Sequence, residues 1–173
     1  PPKHLSKQQR LRRRNEESSR GTYARTFLMP DFVPYSSEHL SSLTDIFRSN
    51  MPTYFLEHEL AQFIRFLDDP GNYYTVKENG EVKGCGGYYL NKDDTVSLCW
   101  GMVHRDHHKT GIGRALLEFR LKKIKEFHPG KKITQVTSQH TTAFFEKFGF
   151  KLITVKKDGF GPGLDECRMD LIS

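Results

Sequence analysis

Leu56, Leu60, Phe63, Ile64 and Leu67 recur at helical spacing, which predicts an amphipathic helix over residues 54–68, stopped by Asp69-Pro70-Gly71. Before it, Thr26 to Pro34 alternates as a strand does. Ser36-Ser37 then offers caps for a helix through Ser42 to Phe47, broken by Asn50-Met51-Pro52. After it the apolar period shortens to two. Tyr73–Val76 and Val82–Leu90 are strand-like and flank Glu78-Asn79-Gly80-Glu81, whose Asn-Gly pair tolerates positive φ and marks a hairpin. Thr95–Val103 reads as a central antiparallel strand, with Val96, Leu98, Trp100 and Met102 on one face and Thr95, Ser97, Cys99 and Gly101 on the other. A glycine-bearing turn leads into a helix from Ile112 to Phe127, stopped by His128-Pro129-Gly130. Then come a strand at Ile133–Ser138, a short helix at Thr141–Phe148, a strand at Phe150–Val155, a Gly-rich loop at Asp158–Gly163 and a last strand near Cys167–Ile172. The order β-α-α-β-β-β-α-β-α-β-β predicts an α/β sandwich around a mixed sheet.

The chain has 173 residues, of which 36% are hydrophobic and 12% aromatic, so one domain can close its core without staples. The net charge of +6 is confined to one end: residues 1–25 hold eight Lys or Arg and two Glu, leaving 27 − 8 = 19 basic against 21 − 2 = 19 acidic residues elsewhere. We therefore read residues 1–24 as a basic, disordered leader and residues 25–173 as the domain. The run Arg10-Leu11-Arg12-Arg13-Arg14 leaves nucleic-acid binding open as an alternative use of the tail. Cys85, Cys99 and Cys167 show no paired spacing, no signal peptide is visible, and no apolar run approaches the ~18 residues of a membrane span. The expected compartment is the cytoplasm.

Chemistry concentrates in Val103-His104-Arg105-Asp106-His107-His108-Lys109-Thr110-Gly111-Ile112-Gly113-Arg114. A Gly-x-Gly turn between strand and helix aims free backbone N–H groups and the positive helix end at one point, which favours a phosphate. Lys109 and Arg114 add charge. A dinucleotide fingerprint would need a third glycine at the position of Leu116, and a nucleotide P-loop would need Gly-Lys-Ser/Thr at its end, whereas Lys109-Thr110 precedes the glycines.

The segment resembles the pyrophosphate motif of the GNAT superfamily of N-acetyltransferases, Arg/Gln-x-x-Gly-x-Gly/Ala after the fourth strand, here His108-Lys109-Thr110-Gly111-Ile112-Gly113. Thr142-Ala143-Phe144-Phe145-Glu146-Lys147-Phe148-Gly149-Phe150 resembles the family's second signature, Leu-Tyr-Glu-Lys-x-Gly-Phe. The resemblance covers residues 24–173. It implies a GNAT-like mixed, mostly antiparallel sheet of about six to seven strands flanked by about four helices. It also implies acetyl-CoA as co-substrate, lying in a V-shaped gap between the strand ending at Val103 and the strand at Ile133–Ser138. The implied coenzyme residues are Gly101, Met102, Val103, His108, Lys109, Thr110, Gly111, Ile112, Gly113 and Arg114, together with Ser138 and Phe145. The Gly101–Val103 backbone would meet pantetheine and the thioester carbonyl. The expected reaction moves an acetyl group to a primary amine by direct attack in a ternary complex.

Three positions depart from the family pattern. His108 replaces the usual Arg or Gln. Ser97 stands where members with a strand-borne carboxylate base carry it, and Phe145 stands where the acid tyrosine often stands. Since a lysine-like ammonium has pKa ~10.4, something must take its proton. The candidates are Glu57 and Glu59, flanking the apolar stripe of the second helix, and His140, with Ser138, Tyr88 and Tyr89 as weaker acids. His104, His107 and His108 lack a third-ligand spacing, so no metal is expected. Cys99 reads as a buried inert thiol. The expected partners are a small-molecule or peptide amine, with no membrane and no nucleic acid expected and a homodimer allowed. Ser97 and Phe145 also leave room for a catalytically weakened acyl-CoA-binding module.

Overall fold

A computed structural model describes residues 29–171; the basic tail, the start of the predicted first strand and Ile172 lie outside the described residues. Asn79 and Gly80 both take positive φ, 52° and 80°, as a two-residue primed turn demands. The chain therefore folds β2 (Asn72–Glu78) back onto β3 (Glu81–Leu90) with Glu78 opposite Glu81. β1 (Asp31–Pro34) adds to β2, and β4 (Val96–Val103) adds to β3, all antiparallel. Helix α3 (Ile112–Phe127) then returns the chain across the sheet, so β5 (Ile133–Thr137) lies parallel to β4. β7 (Leu164–Leu171) pairs with β5, and β6 (Phe150–Gly161) pairs with β7, giving a seven-stranded mixed sheet in the order β1-β2-β3-β4-β5-β7-β6.

Two helices, α1 (Leu40–Ser49) and α2 (Glu57–Phe66), bury Leu43, Ile46, Phe47, Leu60 and Phe63 against Tyr73, Cys85, Cys99 and Met102. α3 covers the other face, where Leu117 and Ile124 meet Tyr88, Val96, Leu98 and Met169, while Ile112 and Leu116 meet Val76. A short helix, α4 (Thr142–Glu146), places Phe145 against Phe150. Among the described residues no helix is long and apolar enough to cross a membrane.

Three details depart from the sequence pattern. α2 begins at Glu57 because Leu56 is extended and its N–H is held by the Glu59 carboxylate at 2.7 Å, which sets the helix start and leaves Tyr54 and Phe55 in the approach segment. The alternation of β4 fails at Trp100, whose φ is 40°. Gly87 faces Cys99 and Cys85 faces Met102, so Trp100 and Gly101 together face Gly86 alone. Cys99 and Met102 consequently both join the α1–α2 core. Finally, the region read as a Gly-rich loop is strand: β6 runs to Gly161, with an irregular register after Lys156. A Cβ on Gly161 would come within 2.5 Å of Leu56 Cδ1, so this hairpin rests on the start of α2.

Candidate active site

β4 and β5 pair only at Val96 with Ile133 and at Ser97 with Thr134. Beyond that rung the strands part, and their diverging backbones open a cavity of about 510 Å³ lined by Leu98–Val103 on one side and Gln135–Ser138 on the other. Ser97 sits at the closed end, where its hydroxyl meets Thr134 Oγ1 at 2.9 Å and accepts from Asn91 Nδ2 at 2.8 Å. The wedge is the V-shaped gap expected from the resemblance.

The open end runs onto the N-terminus of α3. Lys109 and Gly111 take positive φ, 63° and 95°, turning the chain sharply into the helix. The first ladder bond is Ala115 N–H to Gly111 C=O, so the N–H groups of Ile112, Gly113 and Arg114 precede it and project from the helix end. A Cβ on Gly113 would meet only Val103 Cγ2 and Phe144 Cζ, at 3.8 and 3.9 Å, so the space above this backbone belongs to the cleft. Thr110 is tied down, its hydroxyl donating to His107 C=O at 2.6 Å. Ile112 buries its side chain in the core, leaving only its backbone for an anion. Arg114 is exposed and paired with Glu118 at 2.8 Å. His108 turns inward: its Nε2 donates to Val103 C=O at 3.0 Å, an oxygen that also accepts from Asn50 Nδ2 at 2.9 Å. His108 thus braces strand against turn, and what the turn presents to the cleft is a set of backbone N–H groups with Lys109 beside them.

Of the proton-transfer candidates, Glu59 lines the cleft and is only 6% exposed. Burial raises its pKa above the ordinary glutamate value, against the lowering effects of the Leu56 N–H and of nearby His58. Glu57 is exposed and lies outside the cleft lining. His140 stands exposed at the cleft wall, edge-on to Tyr54 at 6.2 Å, and Tyr54 is edge-on to His108 at 5.5 Å. Ser138 and Phe145 line the same cavity. Tyr88 packs on the α3 face, its hydroxyl pushed up to about 12 chiefly by burial, and neither it nor Tyr89 lines the cavity.

Sequence reasoning missed Tyr54, Gln135 and Arg120, all in the lining. Tyr54 was hidden inside the predicted helix, and the other two read as ordinary polar positions of a strand and a helix. Trp100, packed among Phe47, Phe55, Phe63 and Phe66, forms an aromatic floor on the α1–α2 side. Burial pushes the Cys85 and Cys99 thiols to about 12, so neither is a nucleophile at neutral pH.

Residues 40–150 match the model of the acetyltransferase (GNAT) family. The Escherichia coli ribosomal-protein-S18-alanine N-acetyltransferase superposes with a TM-score of 0.69 at 17% identity, over 83% of this chain and 93% of its own. An aminoglycoside 6'-N-acetyltransferase complexed with coenzyme A superposes at 0.66 and 17% identity, over 83% and 98%. Arabidopsis thaliana Naa50, in complex with the bisubstrate analogue CoA-Ac-MVNAL, does so at 0.64 and 15%, over 84% and 100%. At these identities the likeness is one of fold. No curated protein matches the sequence significantly.

Proposed function

Because the chain belongs to the GNAT acetyltransferase family, whose model spans most of it, we propose that it transfers the acetyl group of acetyl-CoA to a primary amine by direct attack in a ternary complex. The observation that carries this reading is the wedge between β4 and β5, which opens beyond Ser97 and leads onto the free N–H groups of α3 while holding the buried carboxylate of Glu59. The family's structural neighbours support the substrate classes: one solved relative is complexed with coenzyme A and another with a bisubstrate analogue joining CoA to a peptide.

The coenzyme supplies an acetyl thioester. The unpaired edges of β4 and β5 offer backbone donors and acceptors to an extended pantetheine, and the Gly111–Arg114 backbone with Lys109 takes the pyrophosphate. Gly101, at the β4 irregularity, lets the thioester approach the backbone donors of an oxyanion hole. Glu59 accepts a proton from the bound ammonium, directly or through water, and so frees the lone pair that attacks. Its pKa, raised by burial, makes it a stronger base than an exposed glutamate. With Phe145 in place of a tyrosine, the phenol of Tyr54, which lines the cleft together with the Ser138 hydroxyl, can serve the departing sulfur.

The test has two arms. Acetyl-CoA at 100 times its dissociation constant should stabilise the fold by about 2.7 kcal/mol, or about 5–10 °C in melting temperature for a domain of this size. An amine panel, including small amines and peptide N-termini, should then reveal coenzyme consumption. No shift at millimolar acetyl-CoA refutes the coenzyme site. A shift without turnover on any amine points to a binding module.

A further inference from the structure

At the β3–β4 irregularity two glycines stand side by side: a Cβ on Gly86 would approach Gly101 Cα to 3.1 Å. The gap is filled from the α3 side by Arg120. A Cβ on Gly101 would lie 2.9 Å from both Nη1 and Nη2, and one on Gly86 would lie 3.3 Å from Nη1. The guanidinium therefore sits at the level of the sheet, 3% exposed, where it joins the lining of the cleft. Facing it are Tyr73, Cys85 and Cys99, neutral groups whose pKa values burial raises. Among the described residues no carboxylate pairs with it. Its Nε donates only a long bond, 3.4 Å, to Leu116 C=O of its own helix.

A desolvated cation without a counter-charge costs stability, and an apolar side chain of equal length would fill the same gap without that cost. Two further features mark the spot as strained and incompletely satisfied. Trp100 holds a positive φ of 40°, unusual for so bulky a residue. Gln135, also buried in the lining, keeps its Oε1 without a partner.

We propose that Arg120 is the electrostatic element of acyl transfer: held in the Gly86–Gly101 gap, its guanidinium stabilises the negative charge that develops on the thioester oxygen beside the Gly101–Val103 backbone. This rests on the proposed reading of the cleft as the acyl-transfer site. In the step, the amine lone pair forms the C–N bond as the carbonyl π pair moves to oxygen. That pair then returns, the C–S bond breaks with its electrons leaving on sulfur, and the proton left in excess on nitrogen passes to that sulfur, Glu59 having already taken the proton of the incoming ammonium. Only the middle of this sequence carries charge on oxygen, so Arg120 acts on the barrier rather than on coenzyme binding.

The experiment compares wild type with Arg120→Met and Arg120→Lys. Arg120→Met should melt at the same or a higher temperature, since it removes an unpaired buried charge while filling the gap. Its affinity for acetyl-CoA should hold within about threefold, and turnover on the amine found by the panel should fall by about 10²–10³. Arg120→Lys should recover part of that loss. A second arm needs no acceptor: S-carboxymethyl-CoA and its neutral isostere S-carbamoylmethyl-CoA are titrated against both proteins. Wild type should prefer the anion at least tenfold, and Arg120→Met should show no preference. Equal affinities in a wild type that binds coenzyme A overturn the proposal alone; a wild type that binds neither analogue nor acetyl-CoA overturns the coenzyme reading as well. A lowered melting temperature in Arg120→Met with unchanged relative turnover makes the arginine structural. Tighter binding of succinyl-CoA than of S-carboxymethyl-CoA, lost in Arg120→Met, makes it a receptor for dicarboxylyl chains instead. Either result overturns the assignment.

Discussion

Gly113→Asp separates the needs of the helix from those of the coenzyme. The position lies at the start of α3, and a Cβ there meets nothing closer than 3.8 Å, so the side chain enters without displacing the fold. α3 has no acidic residue in its first turn, and a carboxylate at a helix N-terminus stabilises by about 0.3–1 kcal/mol. The variant should therefore melt no lower than wild type, and up to about 3 °C higher. The same carboxylate would stand roughly 5 Å from an anion seated on these N–H groups, where two unit charges at an effective dielectric of about 20 repel by about 3 kcal/mol. Acetyl-CoA affinity should fall by at least two orders of magnitude. Isothermal titration together with thermal melts, with and without acetyl-CoA, reads both quantities on one preparation. Unchanged affinity in a folded variant would place the pyrophosphate elsewhere and remove the basis of the coenzyme site. Gly113→Ala provides the internal control, since a methyl fits the space and should keep affinity within severalfold.

Glu59→Gln keeps an acceptor for the Leu56 N–H and so preserves the cap, but it should lower turnover by about 10²–10⁴ with little change in acetyl-CoA affinity. The same substitution tests the pKa: because burial raises the folded value above the unfolded one, the carboxyl's contribution to stability is lost as pH rises from the ordinary glutamate range through the folded value. Wild-type stability should therefore fall more steeply than that of Glu59→Gln over this window, and the acid limb of the kcat/KM profile should lie above the ordinary glutamate value and vanish in the variant. Glu57→Gln, on an exposed position outside the lining, should keep wild-type turnover and pH profile. Gly111→Ala forces a side chain into φ 95° and should cost about 1–2 kcal/mol in chemical denaturation, although no atom lies within 4 Å to clash with it. Phe63→Ala, which empties a fully buried ring from between Phe47, Tyr73 and Trp100, should cost about 3–5 kcal/mol by the same measurement.

Local rules carried much of this protein in plain view of the sequence. Asn79-Gly80 demanded a primed turn, Gly111 through Phe127 spelled a helix with an anion-ready start, and the period-two segments predicted the strands that pair around them. These signals are legible because turn geometry, helix periodicity and strand alternation depend on neighbours within a few residues. The GNAT motif belonged to the same class, since its backbone donors arise from a contiguous turn. What the sequence could not display depends on residues brought together from distant segments. Glu57 and Glu59 look equivalent along the chain, yet only Glu59 reaches back to Leu56 and into the cleft, because its carboxylate sets where α2 begins. β6 was read as ending before its glycines because Gly161 is needed not by a loop but by contact with Leu56, more than a hundred residues earlier. Arg120 looked like one more helical arginine. Its burial arises only when α3 packs over a sheet in which Gly86 and Gly101 have come side by side, and the desolvation that makes its charge consequential exists only in the folded chain.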